Sequence, residues 1–488
     1  CVAILPLDTP FGRKRQIDQS ACNKDFSCLN GFCPSFVTLS GARPKALAIS
    51  KVILPDLPLP AQPLLNRPWN ILITGVGGTG VVTIGALLTM AAHLEGKGAA
   101  ELQMAGLAQK GGAVSIHCRI APSPEDISAT RLTTGEADAV IAGDIVVASS
   151  QKSLVLMSPG RTRVVANSAA AMTGQFALDP DFTIPDGDLS QRIAVRVGQE
   201  AMAKVDASEV ARTYLGDSIY SNVVLLGAAW QAGLVPLSHA ALRKAIELNG
   251  ANVDANLAAF EIGRYAQSGI SDPTARASKE ETLAEKTDRL CSFLLGYQGP
   301  GLKEQFLRLV DRANQAEAEN GVTGLANAVA DGFFKLLTYK DEYEVARLHL
   351  SHLDQMLAEE FSSVRSMTFH LAPPLFSRLG EDGHPKKRAF GSWVRHIFWI
   401  LTMMKGLRGT LFDPFGHTAE RRFERQLILD YESDMERALA VVSRHNVETV
   451  IELARLPDKI RGFGQVKARN AERATASRAR ILDSLGLA

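Results

Sequence analysis

Residues 69–98, WNILITGVGGTGVVTIGALLTMAAHLEGKG, give the clearest indication of the fold. Its opening apolar run, 69–74, predicts a buried strand. Four glycines follow, three of them with the spacing G-x-G-x-x-G and one extra: Gly75, Gly77, Gly80 and Gly78. The next apolar segment predicts a helix to about Leu94, which Gly96 and Gly98 end. A strand, a glycine turn and a helix in this order predict a Rossmann-like α/β domain.

This kind of turn brings the backbone close to an anion, because the N-terminus of the helix presents free N–H groups. An NAD site would also have an acidic residue at the end of the second strand. The predicted second strand, 99–104, ends without one, and Glu95 falls at the end of the helix instead. The pattern therefore does not favour NAD. It leaves open whether the glycines bind an anion or only allow the helix to pack on the strand.

A second glycine loop, QKGG (109–112), precedes a predicted strand at 113–120. Lys110, Gly111 and Gly112 thus join the candidate binding residues, with Lys110 either a phosphate ligand or a solvated side chain. Further strands at 137–144 and 162–167, separated by helices, predict a parallel sheet. Amphipathic helices continue to about residue 266. His117 and Cys118 lie in one predicted strand, where we expect one to face the core and both to be structural.

A different chemistry is indicated by CNKDFSCLNGFCPSF, residues 22–36. Ferredoxins bind iron–sulfur clusters through C-x2-C-x2-C-x3-C-P, whose last cysteine serves the other cluster. Here the pattern is C-x2-D-x2-C-x4-C-P, from Cys22 through Asp25 and Cys28 to Cys33. Asp25 replaces a thiolate, and a carboxylate is a harder ligand for iron. We expect Cys1 to complete this cluster and Cys33 to serve another.

Two other interpretations of the cysteines stay open. Zinc sites prefer paired C-x2-C spacings, which this segment lacks. The other interpretation is that the cysteines are free structural residues and that Asp25 is an ordinary loop aspartate. Of the six cysteines in 488 residues, four lie in the first 33, which favours a local metal site in a reducing compartment.

Composition excludes several classes of function. The chain is 46% apolar and 22% charged with a net charge of +1, so neither nucleic acid nor a membrane is expected as a partner. We see no signal peptide and no apolar run long enough to span a membrane, and expect a cytoplasmic protein. Because the chain begins with Cys1, we expect it to be the C-terminal piece of something longer.

The C-terminal part is predicted to be mainly helical after a small, polar linker at 268–281. Residues 413–416 read as a turn, and a helix capped by Thr418 follows. Residues 370–376, HLAPPLF, read as a loop. No carboxylate or cysteine lies at a spacing typical of metal ligands from His349, His352 or His370. We therefore expect these histidines to be structural.

Two stretches carry a family resemblance: FGRKRQIDQSACNKDFSCLNGFCPSFVTLSG (11–41), and GVGGTGVVTIG followed by MAGLAQKGGAVSIHCRIA. The first resembles the junction of the long, fused indolepyruvate ferredoxin oxidoreductases. The second pair resembles the gamma-type domain of 2-oxoacid:ferredoxin oxidoreductases, the superfamily to which they belong. The resemblance implies a cluster segment at 1–54, a proline-rich linker at 55–68, a gamma-type domain at 69–267 and a helical domain at 282–488.

The resemblance also implies an activity, the oxidative decarboxylation of indolepyruvate or another arylpyruvate to an acyl-CoA and CO2. Electrons would pass through 4Fe–4S clusters to ferredoxin. Thiamine diphosphate and Mg²⁺ would belong to modules absent from this chain, and CoA would be a co-substrate that the glycine loops would face. A homo-oligomer is expected. The alternative is a non-catalytic electron-transfer or scaffold subunit of such a complex.

Overall fold

The structure is a computed structural model that describes residues 3–19, 22, 24–30, 36–45, 57–106, 111–169, 176, 179, 182–268, 281–372, 386–460, 462 and 465–487. The chain forms two compact units. The first comprises Cys1–Asp25 with Leu47–Arg276, and the second comprises Phe26–Ala46 with Ala277–Ala488. The cysteine segment is divided between them, because Cys22 and Asp25 belong to the first unit and Cys28 to the second.

The secondary structure alternates in the first unit and is mainly helical in the second. The strands are β1 (Ile4–Thr9), β2 (Gly12–Ile17), β3 (Val37–Ser40), β4 (Arg43–Pro44), β5 (Trp69–Val76), β6 (Gly98–Ala105), β7 (Ala113–Ala121), β8 (Ala139–Ala142), β9 (Arg163–Asn167), β10 (Met202–Val205), β11 (Phe361–Ser363), β12 (Ser366–Leu371) and β13 (Arg388–Phe390). The helices are α1 (Val81–Leu94), α2 (Ile145–Ala148), α3 (Gln151–Leu154), α4 (Asp186–Val197), α5 (Ala207–Leu215), α6 (Ser221–Gln231), α7 (His239–Asn249), α8 (Val253–Gln267), α9 (Leu283–Tyr297), α10 (Pro300–Asn320), α11 (Leu325–Leu337), α12 (Glu342–Ser351), α13 (Leu353–Glu360), α14 (Val394–Met403), α15 (Ala419–Val441), α16 (Val447–Ala454) and α17 (Gln465–Ser484).

A mostly parallel sheet forms the centre of the first unit, with strand order β10-β9-β8-β5-β7-β6. Strands β10, β9, β8 and β5 run parallel. The remaining strand pairs, β5 with β7 and β7 with β6, are antiparallel. Ile71, Leu72 and Ile73 of β5 are fully buried, as a strand covered on both faces requires. The predicted α/β class is confirmed. The sequence did not predict that two strands at one edge of the sheet, β7 and β6, run antiparallel to their neighbours.

Two glycines bring helices α6 and α8 of the first unit into close contact. A Cβ at Gly227 would lie 2.0 Å from the carbonyl oxygen of Phe260, and a Cβ at Gly263 would lie 1.9 Å from that of Val224. Such spacings are possible only without side chains. The two helices therefore pack backbone against backbone beside the sheet.

The proline-rich segment before β5 forms hydrogen bonds with other residues of the first unit. Gln62 Nε2 donates to the carbonyl oxygen of Leu237 at 2.8 Å, and Gln231 Nε2 donates to that of Pro58 at 2.9 Å. The β1–β2 hairpin is held in the same unit, because the guanidinium carbons of Arg13 and Arg15 each lie 5.4 Å from the centre of the Phe176 ring. The basic run at 12–15 is thus partly engaged in packing.

The second unit combines a helical core with small sheets. Helix α15 begins after Thr418, whose side chain accepts from the N–H of Arg421, so the predicted cap is confirmed. The predicted turn is confirmed as well, because Gly416 N–H donates to the carbonyl oxygen of Asp413. Strand β12 pairs with both β13 and β3. The prediction of a loop from residue 370 is wrong at its start, because His370 and Leu371 belong to β12.

Across the described ranges, none of the helices has both the length and the apolar character that crossing a membrane requires. Helix α1, VVTIGALLTMAAHL, is strongly apolar but has only 14 residues.

Candidate functional site at the glycine loops

The four glycines of the first loop lie where β5 ends and α1 begins. Gly78 and Gly80 have φ angles of 87° and 84°, a left-handed conformation that favours glycine. Gly75 has another role, because a Cβ there would lie 2.3 Å from Cγ2 of Val81. The absence of a side chain at Gly75 thus lets α1 approach the strand, while Gly78 and Gly80 form the turn.

The second loop is bonded to the first. Gly77 N–H donates to the carbonyl oxygen of Gly112 at 2.7 Å, and Gly111 N–H donates to the carbonyl oxygen of Gly77 at 3.2 Å. The two predicted loops therefore form one backbone surface. The N–H of Gly77 is used inside this surface. Lys110 lies outside the described residues.

Asn222, at the start of α6, fixes the shape of the turn. Its side chain is buried, and its Nδ2 donates to the carbonyl oxygen of Thr79. The same side chain closely approaches the next strand end, because a Cβ at Gly143 would lie 3.1 Å from its Oδ1. Sequence reasoning missed this residue, although a single asparagine opening the apolar segment NVVLLGAAW was an available signal.

Polar groups also mark the ends of the neighbouring parallel strands. After β8, Asp144 Oδ1 accepts from the N–H of Val147 at 2.9 Å and caps α2. At the end of β9, Asn167 Oδ1 accepts from Ala207 N–H at 3.1 Å, and its Nδ2 donates to Ser208 Oγ at 3.0 Å. The carboxyl ends of parallel strands form one edge, which is where open α/β sheets bind ligands.

The N-terminus of α1 gives this edge a positive character. Gly80 precedes the helix, the first turn contains no acidic residue, and no described side chain caps it. The dipole of a helix favours negative charge at this end. The arrangement therefore suits an anionic group, and the glycines allow that group to approach the backbone.

The position of β6 bears on the NAD alternative. The second strand of a dinucleotide-binding unit lies directly beside the first and parallel to it. Here β7 separates β6 from β5. The ribose-binding position of that motif is therefore not formed next to the glycine turn.

His117 and Cys118 are both buried, whereas we expected only one of them to face the core. The reason is that β7 lies between β5 and β6 and is covered on both faces. Burial raises the pKa of the Cys118 thiol to about 12. Burial and the neighbouring charges of Arg131 and Arg119 lower the pKa of His117. The Cys118 thiol therefore stays protonated at neutral pH and is not suited to act as a nucleophile.

The opposite edge of the sheet carries a buried charge that sequence reasoning also missed. Asp138 is 1% exposed and pairs with Arg67 and Arg161, each at 2.8 Å. Burial raises the pKa of Asp138, but hydrogen bonds from both arginines outweigh this effect, so its pKa lies below the ordinary value. Arg67 comes from the proline-rich segment, and the pairing anchors that segment to the sheet.

Among the predicted cluster ligands, Cys22 shows a feature suited to metal binding. Its Sγ accepts a hydrogen bond from the N–H of Lys24 at 3.3 Å, and Lys24 and Phe26 adopt left-handed φ angles of 57° and 56°. Hydrogen bonds to sulfur are one means by which proteins tune iron–sulfur clusters. Asp25 and Cys28 are described, whereas Cys1 and Cys33 lie outside the described residues.

A complete ligand set is not seen. Nowhere in the described ranges do three or more His, Cys, Asp or Glu residues come together as a group able to hold a metal ion. The histidines considered above form no such group with His352: His349 stacks on Phe398 with ring centres 5.2 Å apart, and His370 Nε2 lies 3.0 Å from Thr38 Oγ1. The described residues alone do not fit a cluster, so its ligand set stays a prediction.

Comparisons with known proteins match two separate segments of the chain. Residues 70–266 match the family model described as pyruvate ferredoxin/flavodoxin oxidoreductase, and residues 283–480 match a family of unknown function, DUF6537. The indolepyruvate oxidoreductase subunit IorB of Archaeoglobus fulgidus is 28% identical over 214 residues, which are 42% of this chain and 98% of that protein. IorB of Thermococcus kodakarensis is 28% identical over 204 residues, 40% of this chain and 95% of that protein.

Two solved structures show weaker likeness. The gamma subunit of a keto/oxoacid ferredoxin oxidoreductase from Geobacter sulfurreducens is 22% identical with a TM-score of 0.29, covering 41% of this chain and 98% of its own. The 2-oxoglutarate:ferredoxin oxidoreductase from Magnetococcus marinus is 18% identical with a TM-score of 0.33, covering 48% of this chain and 38% of its own.

Residues 70–266 belong to the pyruvate ferredoxin/flavodoxin oxidoreductase family. The predicted resemblance to an indolepyruvate ferredoxin oxidoreductase of the 2-oxoacid:ferredoxin oxidoreductase superfamily is confirmed for this part of the chain. The domain limits predicted from the sequence stay a prediction.

Proposed function

We propose that the chain is the C-terminal part of a 2-oxoacid:ferredoxin oxidoreductase that acts on indolepyruvate or another arylpyruvate. The supporting observation is the match of one segment to nearly the whole length of two indolepyruvate oxidoreductase subunits. The proposed reaction converts the 2-oxoacid and CoA to an acyl-CoA, CO2 and a proton. Two electrons are released and reduce ferredoxin. Thiamine diphosphate with Mg²⁺, bound outside this chain, would stabilise the carbanion formed on decarboxylation.

In this proposal the glycine edge faces CoA or shapes the cleft that admits it. Gly78 and Gly80 keep the turn open, and the start of α1 favours the phosphates of CoA. Gly77, Gly111 and Gly112 form the bonded backbone beneath them, and Lys110 would add a positive charge. Gly75 contributes through packing. The role is one of binding and shape, since the described edge presents no group placed to act as an acid, base or nucleophile.

The second part of the proposal concerns the electrons. Cys1, Cys22, Asp25 and Cys28 would hold one 4Fe–4S cluster, and Cys33 would serve another. The hydrogen bond that the N–H of Lys24 donates to the sulfur of Cys22 supports this assignment.

The alternative is a non-catalytic electron-transfer or scaffold subunit. One observation favours it, because the relatives matched over nearly their whole length are themselves subunits. In both cases we expect partner modules for the decarboxylation and an assembly with more than one copy of the chain.

A turnover measurement separates these possibilities. The 488-residue chain, supplied with indolepyruvate, CoA, thiamine diphosphate and Mg²⁺, should not reduce methyl viologen. The same chain together with its thiamine-binding modules should do so if it belongs to the enzyme. Turnover by the chain alone would contradict the proposed division of labour. A complex that stays inactive towards 2-oxoacids but carries electrons between proteins would favour the scaffold.

A further inference from the structure

Residues 127–134 lie between β7 and β8 in the first unit, and we call them the crossover segment. All of them are within the described part of the chain, and they form neither helix nor strand. Two side chains of β7 hold this segment. Arg119 Nη2 donates to the carbonyl oxygen of Arg131 at 2.8 Å, and His117 Nδ1 accepts from the N–H of Leu132 at 2.8 Å. The Leu132 side chain is buried in the same core cluster as Leu72.

The bond to Leu132 sets the protonation state of His117. An imidazole nitrogen accepts a hydrogen bond only through its lone pair, so Nδ1 carries no proton and the ring proton lies on Nε2. His117 is 2% exposed, and its Nε2 has no hydrogen-bond partner among the described residues. The closed crossover segment therefore requires the neutral form of the ring.

The strands on either side of β7 place apolar side chains beside this ring. Leu72 of β5 and Leu102 of β6 lie opposite His117 in the sheet. Cys118 and Glu101 occupy the neighbouring positions, whose side chains point to the other face of the sheet. A protonated ring would thus be buried among apolar groups, which is costly without a paired charge.

The charges that act on His117 come from β7 itself and from the chain that leads to β8. Burial, followed by the positive charges of Arg131 and Arg119, lowers the pKa of His117, whereas Glu136 opposes this shift. The Glu136 carboxylate is already engaged, because it accepts from Arg119 at 2.8 and 2.9 Å and from the N–H of Thr133 at 2.7 Å. The charges around the ring therefore disfavour its protonation.

We propose that His117 is an acid-sensitive latch that holds the crossover segment when neutral and releases it when protonated. Protonation turns Nδ1 into a donor, so that it no longer accepts from the N–H of Leu132 and two N–H groups face each other. The ring takes up a proton from solvent only when the segment has moved away from it. The latch needs no cofactor and no partner, so it stands or falls independently of the proposed function.

The direction of the pH effect follows from the two states of the segment. In the open segment the imidazole titrates at its ordinary pKa of 6.5, whereas the closed segment lowers that pKa. The closed form is therefore fully stable above the ordinary pKa. It loses stability as the pH falls from the ordinary pKa towards the lowered one, because the open form binds more protons in that range.

Hydrogen exchange followed by mass spectrometry tests the latch in the 488-residue chain. The exchange rate of the peptide that contains residues 127–134 is compared at pH 7.5 and pH 5.5, after division by the intrinsic rate at each pH. Exchange should increase by up to about tenfold at the lower pH, while a peptide from α6 changes by less than about twofold. Equal exchange of residues 127–134 at both pH values would overturn the proposal, as would an equal increase in α6.

Two substitutions at His117 separate the proton from the bond. His117→Asn keeps an acceptor, since the amide oxygen can take the place of Nδ1, but it does not titrate. The segment should stay protected at pH 7.5 and lose its response to acid. His117→Leu removes the acceptor, so exchange should be about tenfold faster already at pH 7.5 and should change little in acid. A response to acid that persists in these variants would contradict the latch.

Arg131→Gln supplies a test at an exposed position, should the variants of His117 fail to fold. Loss of this positive charge should move the response of the segment to higher pH, and a response that stays in place or moves to lower pH would contradict the proposal. The matched control is His93→Asn at an exposed position of α1, which should keep the wild-type response. Loss of the response in this control would assign it to another histidine. Thermal unfolding at pH 7.5 shows whether each variant keeps its fold.

Discussion

The two units of this chain differ in where their polar groups are exposed and where they are paired. In the first unit, glycines, Asn222 and the start of α1 leave a polar edge open, while the buried Asp138 is neutralised at the other edge of the sheet. In the second unit, buried charges such as Arg408 and Asp341 are paired with each other, and helix α14 leaves Trp399 and Met403 exposed. Polar groups are thus left open at the glycine turn of the first unit, whereas in the second unit such buried polar groups are bonded to one another.

The largest expected effect tests the paired charges of the second unit. Arg408 and Asp341 are each 3% exposed in the side chain and bond at 2.5 Å. Replacing Arg408 with Met leaves a buried carboxylate without its partner, which should cost about 3–5 kcal/mol of unfolding free energy. Urea unfolding followed by circular dichroism measures it. A loss below 1 kcal/mol would show that the pair does not hold this unit together.

The next effect tests the close helix contact of the first unit. Gly227→Ala places a methyl group against the carbonyl oxygen of Phe260, and overpacking against backbone should cost about 2–3 kcal/mol. The control is Gly187→Ala in α4, where a Cβ meets no atom within 4 Å. Equal stability of the two variants would mean that α6 and α8 are not in backbone contact.

A smaller effect depends on pH. Arg67→Gln removes one of the two arginines on Asp138, and because Arg67 is half exposed the cost at pH 7 should be about 1 kcal/mol. The pKa of Asp138 is lowered in the folded state, so this contribution is present above its ordinary value of 3.8 and is lost as the pH falls through the folded value. The difference between variant and wild type should therefore shrink in acid. A difference that is constant from pH 7 to pH 3 would refute the assignment.

The smallest effect is expected at the surface of the second unit. Arg395 and Asp354 pair at 2.6 Å with side chains 27% and 59% exposed. Arg395→Gln should change the unfolding free energy by at most about 0.5 kcal/mol, since exposed ion pairs contribute little. If this variant matched Arg408→Met in its loss of stability, burial would not be what distinguishes the two pairs.

Sequence reasoning succeeded where the signal is local. The strand before Gly75, the helix that ends at Leu94 and the cap at Thr418 all follow from neighbouring residues. What it missed depends on distant partners. Strand β3 pairs with β12 across more than 300 residues, and nothing near Val37 or Phe369 announces that pairing. The contact of Gly227 with Phe260 and the pairing of Arg67 with Asp138 likewise need the folded chain.

The sequence predicted the candidate site only in part, again because some of its contacts join residues that are far apart in the chain. The glycine spacing identified the turn, but it did not distinguish Gly75, which packs, from Gly78 and Gly80, which shape the loop. The hydrogen bond between Gly77 and Gly112 joins two loops. No rule of residue spacing predicts that these loops lie next to each other. Asn222 comes from a helix more than 140 residues away from the turn that it fixes.

We propose that the chain carries electrons through iron and sulfur bound near its amino end. The most direct measurement is an iron and acid-labile sulfide assay on anaerobically purified protein that includes the proposed preceding modules, with Cys28→Ser as the variant. The account predicts coloured protein that contains both elements and loses part of each in the variant. Colourless protein without acid-labile sulfide would contradict it.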